Sequence, residues 1–156
     1  MNLLLAVDDS HYSDLAASEV AARPWPRGTV LRVLSVAPTL LGATVPGVPI
    51  AGALGAGMPF SGEFEARKEL LEGANRLLLR VSERFDRELL RIETVVREGD
   101  PGSEIIAEAE TWPADLVVVG SHGRTGLKRL ILGSVAHYVT NHSPCSVEII
   151  RARKSV

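Results

Sequence analysis

Hydrophobic residues along the chain form either continuous apolar runs or stretches with helical spacing. The runs at 3–7 and 116–119 contain no polar residue, which is typical of strands covered on both faces of a parallel sheet. Further strands are predicted at 29–36, 91–97 and 146–151, and helices at about 11–22, 62–88, 101–111 and 134–141. Because strands and helices alternate, the chain is predicted to be an α/β protein with an open five-stranded parallel sheet and helices on both faces.

The predicted strand at 91–97 differs from the two apolar runs because polar and apolar residues alternate along it. Ile92, Thr94 and Val96 are predicted to face the core, and the period of two predicts a position nearer the edge of the sheet. The two continuous runs are instead predicted to be central strands.

Composition and charge limit the function classes. Without a change in composition that would separate two cores, residues 1–156 are expected to form a single domain. The net charge is −2 and charges of both signs are scattered, which argues against a nucleic-acid partner. No apolar run approaches the roughly 20 residues of a membrane span, and the start of the chain lacks the basic region of a signal peptide, so a cytoplasmic protein without membrane contact is expected.

The stretch 38–62 is rich in proline, glycine and small apolar residues and carries no charge. An insert of this length inside a compact domain is usually either functional or disordered. Its composition leaves three alternatives open: a flap over a ligand, a contact between subunits and a mobile loop.

Residues 120–134 form a glycine-rich connection between a predicted buried strand and a predicted helix. Such a turn presents unpaired backbone N–H groups and the positive end of a helix dipole, which together suit a phosphate group. A tight loop without a ligand is the alternative. Ligands of parallel sheets bind beyond the carboxyl ends of the strands, so Asp8 and Gly120 share one crevice if the first and fourth strands are neighbours.

Charged residues near this crevice refine the expected ligand. A carboxylate at Asp8 would repel a phosphate, so its expected partner is a ribose hydroxyl, an adenine amino group or a metal ion. A helix-capping role for Asp8 is the alternative. Arg124, Lys128 and Arg129 either neutralise phosphate charge or form a solvated basic face.

Two common nucleotide-binding motifs are absent, since the chain has no Gly-x4-Gly-Lys-Ser/Thr and no Gly-x-Gly-x2-Gly after the first strand. The loop instead has the spacing Gly120-x2-Gly123-x9-Gly133-Ser134, which resembles the ATP-binding branch of the universal stress protein family. The resemblance extends over nearly the whole chain. Its further landmarks are Ala6-Val7-Asp8-Asp9-Ser10, Glu98-Gly99-Asp100-Pro101 and Ser143-Pro144-Cys145-Ser146-Val147.

The resemblance implies a Rossmann-like sheet of the adenine nucleotide alpha hydrolase type, with strand order 3-2-1-4-5. It implies ATP as the ligand, with or without Mg²⁺ or Mn²⁺, and a homodimer that pairs the last strand, 146–151, across two subunits. Asp8 and Val36 would border the adenosine, and the glycines with Ser134 would cradle the phosphates. The candidate cofactor-binding residues are Asp8, Val36, Gly120, Ser121, Gly123, Arg124, Gly133, Ser134 and Val135. One departure is Asp9, where many members carry glycine, and it adds a negative charge near the site.

An enzyme is not expected from these residues. A triad of Ser121, His122 and Asp8 is not favoured, because adjacent side chains on a turn are not expected to point at each other and no nucleophile elbow is present. His122 is instead expected to be exposed near the ligand. Hydrolysis of ATP should be slow at most, since no water-activating base or arginine finger is evident.

The predicted function is therefore nucleotide-dependent regulation in a stress response, through an unknown protein partner. The main alternative is a protein-interaction module of the same fold without a physiological nucleotide, which would use the insert at 38–62 as its contact surface. A flavin or electron-transfer subunit of similar fold is a more distant alternative.

Overall fold

A computed structural model describes residues 1–39, 60–123 and 132–152 of the chain. The strands are β1 (Asn2–Val7), β2 (Val30–Ala37), β3 (Arg91–Glu98), β4 (Leu116–Gly120) and β5 (Ser146–Ile150), and the helices are α1 (His11–Ala22), α2 (Phe60–Ser82), α3 (Pro101–Thr111) and α4 (Ser134–His142). The predicted helix at 62–88 ends early, at Ser82. A turn follows it, in which the Asp86 side chain accepts a hydrogen bond from the backbone N–H of Glu88 at 2.8 Å.

The strands form one parallel sheet in the order β3-β2-β1-β4-β5, which confirms the predicted fold class and strand order. β1 pairs with both β2 and β4, so that Leu5 lies beside Val33 on one side and Val118 on the other. The carboxyl ends of β1 and β4 are therefore adjacent, on the same side of the sheet as the other strand ends. This is the arrangement that places Asp8 near Gly120.

Helices cover both faces of the sheet, and each face has its own hydrophobic core. Leu3 and Leu5 of β1 belong to the core with residues of α1 and α2, such as Val20 and Leu78, while Leu4 belongs to the opposite core with Ile105 of α3. Successive side chains of a strand point to opposite faces. The absence of polar residues at 3–7 thus follows from burial on both faces.

The edge position predicted for β3 is confirmed, but the predicted orientation of its side chains is wrong in part. Ile92 and Val96 pack against the core on the α1 and α2 side, whereas Thr94 is exposed. Val95 packs against the opposite core, on the α3 side. Because helices cover both faces of the sheet, an edge strand here contributes apolar side chains to both faces instead of one.

A bidentate ion pair fastens the end of α1 to β5. The Arg23 guanidinium donates to the two carboxylate oxygens of Glu148 at 2.6 and 2.5 Å. These hydrogen bonds, and more weakly the charge of Arg23, lower the pKa of Glu148 against the opposing effect of burial. The pair is therefore expected to stabilise the fold only while Glu148 is ionised.

Replacing Glu148 by glutamine is expected to lower the free energy of unfolding by about 1 kcal/mol or less at pH 7, since the pair is partly exposed. The folded-state pKa lies below the unfolded-state value, so the contribution is complete above the unfolded pKa of roughly 4.3 and is lost as the pH falls through the folded pKa. Urea denaturation at neutral and acidic pH measures this. Glu19→Gln is the control, because Glu19 lies 3.8 Å from Arg23 in a looser contact. Equal stability of Glu148→Gln and wild type at pH 7 would contradict the expectation.

None of the helices in the described part of the chain combines the length and the apolar character needed to cross a membrane.

Candidate functional site

Asp8 lies directly after β1 in a hydrogen-bonded turn that leads into α1. Its Oδ1 accepts hydrogen bonds from the backbone N–H of Ser10 at 3.2 Å and from the Ser10 hydroxyl at 2.5 Å. Ser10 is the N-cap of α1, and its Oγ accepts from the backbone N–H of Ser13 at 3.2 Å. The Asp8 backbone N–H donates in turn to the Ser13 hydroxyl at 2.9 Å. The capping role belongs to Ser10, and Asp8 is held in place by the cap.

Gly120 ends β4 under the first turn of α1. A Cβ atom at this position would lie 2.7 Å from the carbonyl carbon of Tyr12 and 3.0 Å from the backbone nitrogen of Ser13. Contacts this short with a backbone cannot be relieved by rotating a side chain. Close packing of α1 on β4 therefore requires glycine at 120 independently of any ligand.

Gly123 connects the glycine loop to Asp8. A Cβ atom at Gly123 would lie 2.9 Å from Oδ2 of Asp8, so the backbone of the loop and the carboxylate are in direct contact. A hydrogen bond from the hydroxyl of Ser10 to the carbonyl of His122, at 3.4 Å, joins the same two segments. The structure thus brings together the two parts of the predicted site that lie more than a hundred residues apart in the sequence.

The start of α4 packs against the same loop. Gly133 is the N-cap of α4, and its backbone N–H donates to the carbonyl of Ser121 at 2.8 Å. A Cβ at Gly133 would lie 3.1 Å from that carbonyl oxygen, so the contact is close. Ser134 and Val135 are the first residues of α4, and the first N–H groups of a helix have no partner within the helix. This helix start lies beside Gly123, whose backbone nitrogen is 3.7 Å from the position of a Cβ at Gly133.

A cavity of about 500 Å³ opens at the carboxyl ends of β1 and β2 and is bounded on its other side by α2. Asp8 and Val36, the two residues predicted to border an adenosine, both line it. The remaining described residues of the lining are Asp9, Ser35, Ala37, Pro38, Glu69, Leu70, Gly73, Ala74, Arg76, Leu77 and Arg80. The described residues of the glycine loop do not line this cavity. Gly123 of the loop contacts Asp8, which does line it.

The contribution of α2 to this cavity was missed by reasoning from the sequence. The helical spacing of Leu77, Leu78 and Val81 indicates an apolar face but does not indicate which end of the sheet that face covers. Gly73 could have pointed to this contribution. Glycine inside a helix costs about 1 kcal/mol relative to alanine, so its presence indicates a functional or packing requirement.

The charge of Asp9 is compensated by α2. The Arg80 guanidinium donates to Oδ1 of Asp9 at 2.7 Å. This hydrogen bond raises the pKa of Arg80. The negative charge that the sequence places next to Asp8 is thus paired with a positive charge on the opposite side of the cavity.

Ser121 and His122 do point at each other, contrary to the expectation from the sequence. Ser121 Oγ lies 3.1 Å from His122 Nδ1, because both residues belong to the tight turn after β4. The Ser121 side chain is nevertheless unsuited to nucleophilic attack, since the residue is only 1% exposed. The geometry provides a serine and histidine pair that a substrate cannot reach.

The prediction that His122 is exposed is also wrong. Its ring packs against Tyr12 with 4.9 Å between the ring centroids, and its Nε2 is buried without a hydrogen-bond partner among the described residues. The residue is half-buried, and its ring packs between the loop and α1.

Arg124, Lys128 and Arg129 lie outside the described residues, as does most of the insert predicted at 38–62. Within 1–39, 60–123 and 132–152, no group of three or more His, Cys, Asp or Glu side chains could hold a metal ion.

Comparison with known proteins gives the family. The model of the universal stress protein family matches residues 1–151. The chain therefore belongs to the universal stress protein family.

Individual relatives agree with this membership. The universal stress protein MJ0531 of Methanocaldococcus jannaschii is 38% identical over 99 residues, which are 63% of this chain and 58% of that protein. The universal stress protein YxiE of Bacillus subtilis is 37% identical over 87 residues, which are 56% of this chain and 59% of that protein. In these matches the chain spans less than two thirds of the relatives' own length.

Solved structures share the fold over almost the whole chain. The structure of MJ0577 from Methanocaldococcus jannaschii superposes with a TM-score of 0.79 at 23% identity, covering 99% of this chain and 97% of that one. The universal stress protein UspA of Lactobacillus plantarum superposes with a TM-score of 0.65 at 25% identity and covers 97% of each chain. The sheet order and helix arrangement described above are thus those of known universal stress proteins.

Proposed function

We propose that this universal stress protein binds ATP in the crevice between Asp8 and the glycine loop. The observation that carries the proposal is the contact of Gly123 with the Asp8 carboxylate, 2.9 Å from the position of a Cβ atom. It places a hydrogen-bond acceptor, the Asp8 carboxylate, against the glycine loop that leads to the N-terminus of α4. A nucleotide needs both, because its sugar and base offer donors while its phosphates are anionic.

The orientation of the nucleotide follows from the charges. Asp8 would repel phosphate oxygens and accept a hydrogen bond from a ribose hydroxyl or the adenine amino group, and Val36 would border the adenosine at the end of β2. Gly123 and the N-terminal residues of α4, Ser134 and Val135, would hold the phosphates through backbone N–H groups. The N–H of Gly133 is donated to the carbonyl of Ser121, so Gly133 would instead let the phosphates approach the loop closely. Arg124 and a Mg²⁺ or Mn²⁺ ion would neutralise further phosphate charge.

Family members with adenine nucleotides support this choice of ligand. A universal stress protein family protein of Arabidopsis thaliana has a solved structure with AMP bound. The universal stress protein of Archaeoglobus fulgidus has a structure in complex with dAMP, and another universal stress protein has one in complex with cAMP. An adenine nucleotide is therefore the class of ligand to test first.

Binding, and not rapid hydrolysis, is the proposed role of the site. Asp8 is proposed to face the adenosine and not the phosphates, and the hydroxyl of Ser121 is buried, so neither is placed to activate a water molecule at the phosphates. We infer that bound ATP alters the surface offered to a protein partner, as a regulatory protein in a stress response requires.

We also propose a homodimer through the last strand, 146–151. β5 ends the sheet, and an edge strand leaves a row of backbone groups without a partner in its own sheet. Light scattering of the intact chain should give twice the monomer mass of 16.7 kDa.

Replacing Asp8 by alanine is expected to lower the affinity for ATP at least tenfold, because the adenosine loses its hydrogen-bond acceptor; that ratio corresponds to about 1.4 kcal/mol. Isothermal titration calorimetry measures the affinity. Asp14→Ala is the matched control, since Asp14 lies on α1 outside the described lining of the cavity and should leave the affinity unchanged. Unchanged affinity in Asp8→Ala would contradict the proposed placement of the adenosine.

A further inference from the structure

The pair formed by Asp9 and Arg80 crosses from the loop after β1 to α2, and both residues line the cavity next to Asp8. The described lining contains three carboxylates, on Asp8, Asp9 and Glu69, and two guanidinium groups, on Arg76 and Arg80. Arg76 interacts only loosely, at 3.7 Å, with Glu72. Of these two described arginines, Arg80 is thus the one that donates a hydrogen bond to a carboxylate of the lining, that of Asp9.

This pair has little influence on stability but lies within electrostatic reach of a ligand. The side chains of Arg80 and Asp9 are 56% and 72% exposed, and exposed ion pairs contribute little to folding. Charges are screened over about 8 Å at physiological ionic strength, so groups lining one cavity act on the molecule it holds. Changes at these two positions should therefore alter ligand binding while leaving the fold intact.

We propose that Asp9 and Arg80 form a specificity pair that sets how strongly the cavity prefers highly charged nucleotides over uncharged nucleosides. This inference rests on the proposed nucleotide-binding function. While Asp9 holds Arg80, the two charges cancel at the ligand. Without the Asp9 carboxylate the guanidinium attracts the phosphates, and without Arg80 the Asp9 carboxylate repels them together with Asp8.

The test compares ATP with adenosine in wild type, Asp9→Asn, Arg80→Gln and the double variant by calorimetry. Asp9→Asn is expected to bind ATP about threefold to tenfold more tightly, and Arg80→Gln to bind it more weakly by a similar factor. The double variant should return close to wild type, because it loses one charge of each sign. Adenosine affinity should stay within about twofold throughout, and the differences for ATP should shrink in 1 M salt, where the screening length is about 3 Å.

The pair between Arg84 and Asp14 supplies the control. It has the same geometry, with 2.7 Å between Nη2 and Oδ1, and it lies one turn further along the chain from Arg80, outside the described lining of the cavity. Arg84→Gln should leave the affinity for ATP unchanged, and Asp14 is left in place because its charge acts on Arg80. An effect of Arg84→Gln equal to that of Arg80→Gln would show a general charge effect and overturn the specificity pair.

Two other results separate this inference from the proposed function. Wild type that binds neither ATP nor adenosine would overturn the proposed function and the specificity pair together. Wild type that binds ATP, with single variants that match it or that change adenosine affinity as much as ATP affinity, would overturn the specificity pair alone.

Discussion

Replacing Gly123 by valine is expected to lower the affinity for ATP at least tenfold, which corresponds to about 1.4 kcal/mol. The first atom of the new side chain would lie 2.9 Å from Oδ2 of Asp8, and the two methyl groups beyond it would extend further into the crevice. The carboxylate must move, and the surface proposed to hold the phosphates is covered. Both effects act on the same nucleotide, one at the sugar or base and one at the phosphates.

Calorimetric titration of Gly123→Val with ATP measures this effect, and thermal unfolding without nucleotide shows whether the fold is retained. Gly123→Ala is the graded control, because a single methyl group displaces Asp8 less and should weaken binding less. A folded valine variant with wild-type affinity would show that the nucleotide does not lie against Gly123.

Replacing Glu108 by alanine is expected to lower the free energy of unfolding by about 1–3 kcal/mol, because it removes the buried acceptor that two arginines share. Glu108 lies on α3 and is only 1% exposed. Its carboxylate accepts from Arg32 of β2 and from Arg97 of β3, each at 2.7 Å. Arg32 is 19% exposed, lies over the Trp112 ring at 4.2 Å and also donates to Glu93 at 3.1 and 2.5 Å, so it keeps one carboxylate partner when Glu108 is removed.

Urea denaturation compares this variant with Glu110→Ala, which removes a neighbouring exposed glutamate of the same helix. The control should stay within about 0.5 kcal/mol of wild type, as surface substitutions usually do. A loss of less than about 1 kcal/mol in Glu108→Ala would mean that the two arginines find other partners or water.

The sheet could be predicted from the sequence because its central strands are buried on both faces. Leu3, Leu4 and Leu5 alternate between two cores, so no polar position interrupts them, and a run of this kind is typical of a central parallel strand. The carboxyl ends of neighbouring parallel strands lie side by side. The meeting of Asp8 with the glycine loop therefore followed from the strand order.

The side chains of β3 and of the turn after β4 could not be predicted from local patterns. Helices on both faces bring Val95 into a core although the alternation predicts that it points outward, and no local pattern shows that Thr94, between Ile92 and Val96, is exposed. The direction of His122 depends on Tyr12, which lies more than a hundred residues earlier and packs against its ring. Contacts between segments so distant in the sequence leave no periodic signal.

The role of α2 at the site was hidden for a similar reason. Its apolar face predicts burial but not the pairing of Arg80 with Asp9, which depends on how the helix crosses the carboxyl ends of the strands. The sequence showed the extra negative charge of Asp9 and left its partner undetermined. The structure supplies that partner from a helix that begins more than fifty residues later.

The most direct test of the nucleotide site is calorimetric titration of the wild-type protein, freed of any copurified nucleotide, with ATP. Our prediction is saturable binding of one ATP per chain, competition by AMP, and a rise in the midpoint of thermal unfolding with ATP concentration, because a ligand that binds the folded state stabilises it. Absence of binding heat together with an unchanged unfolding midpoint at saturating ATP and AMP would contradict it.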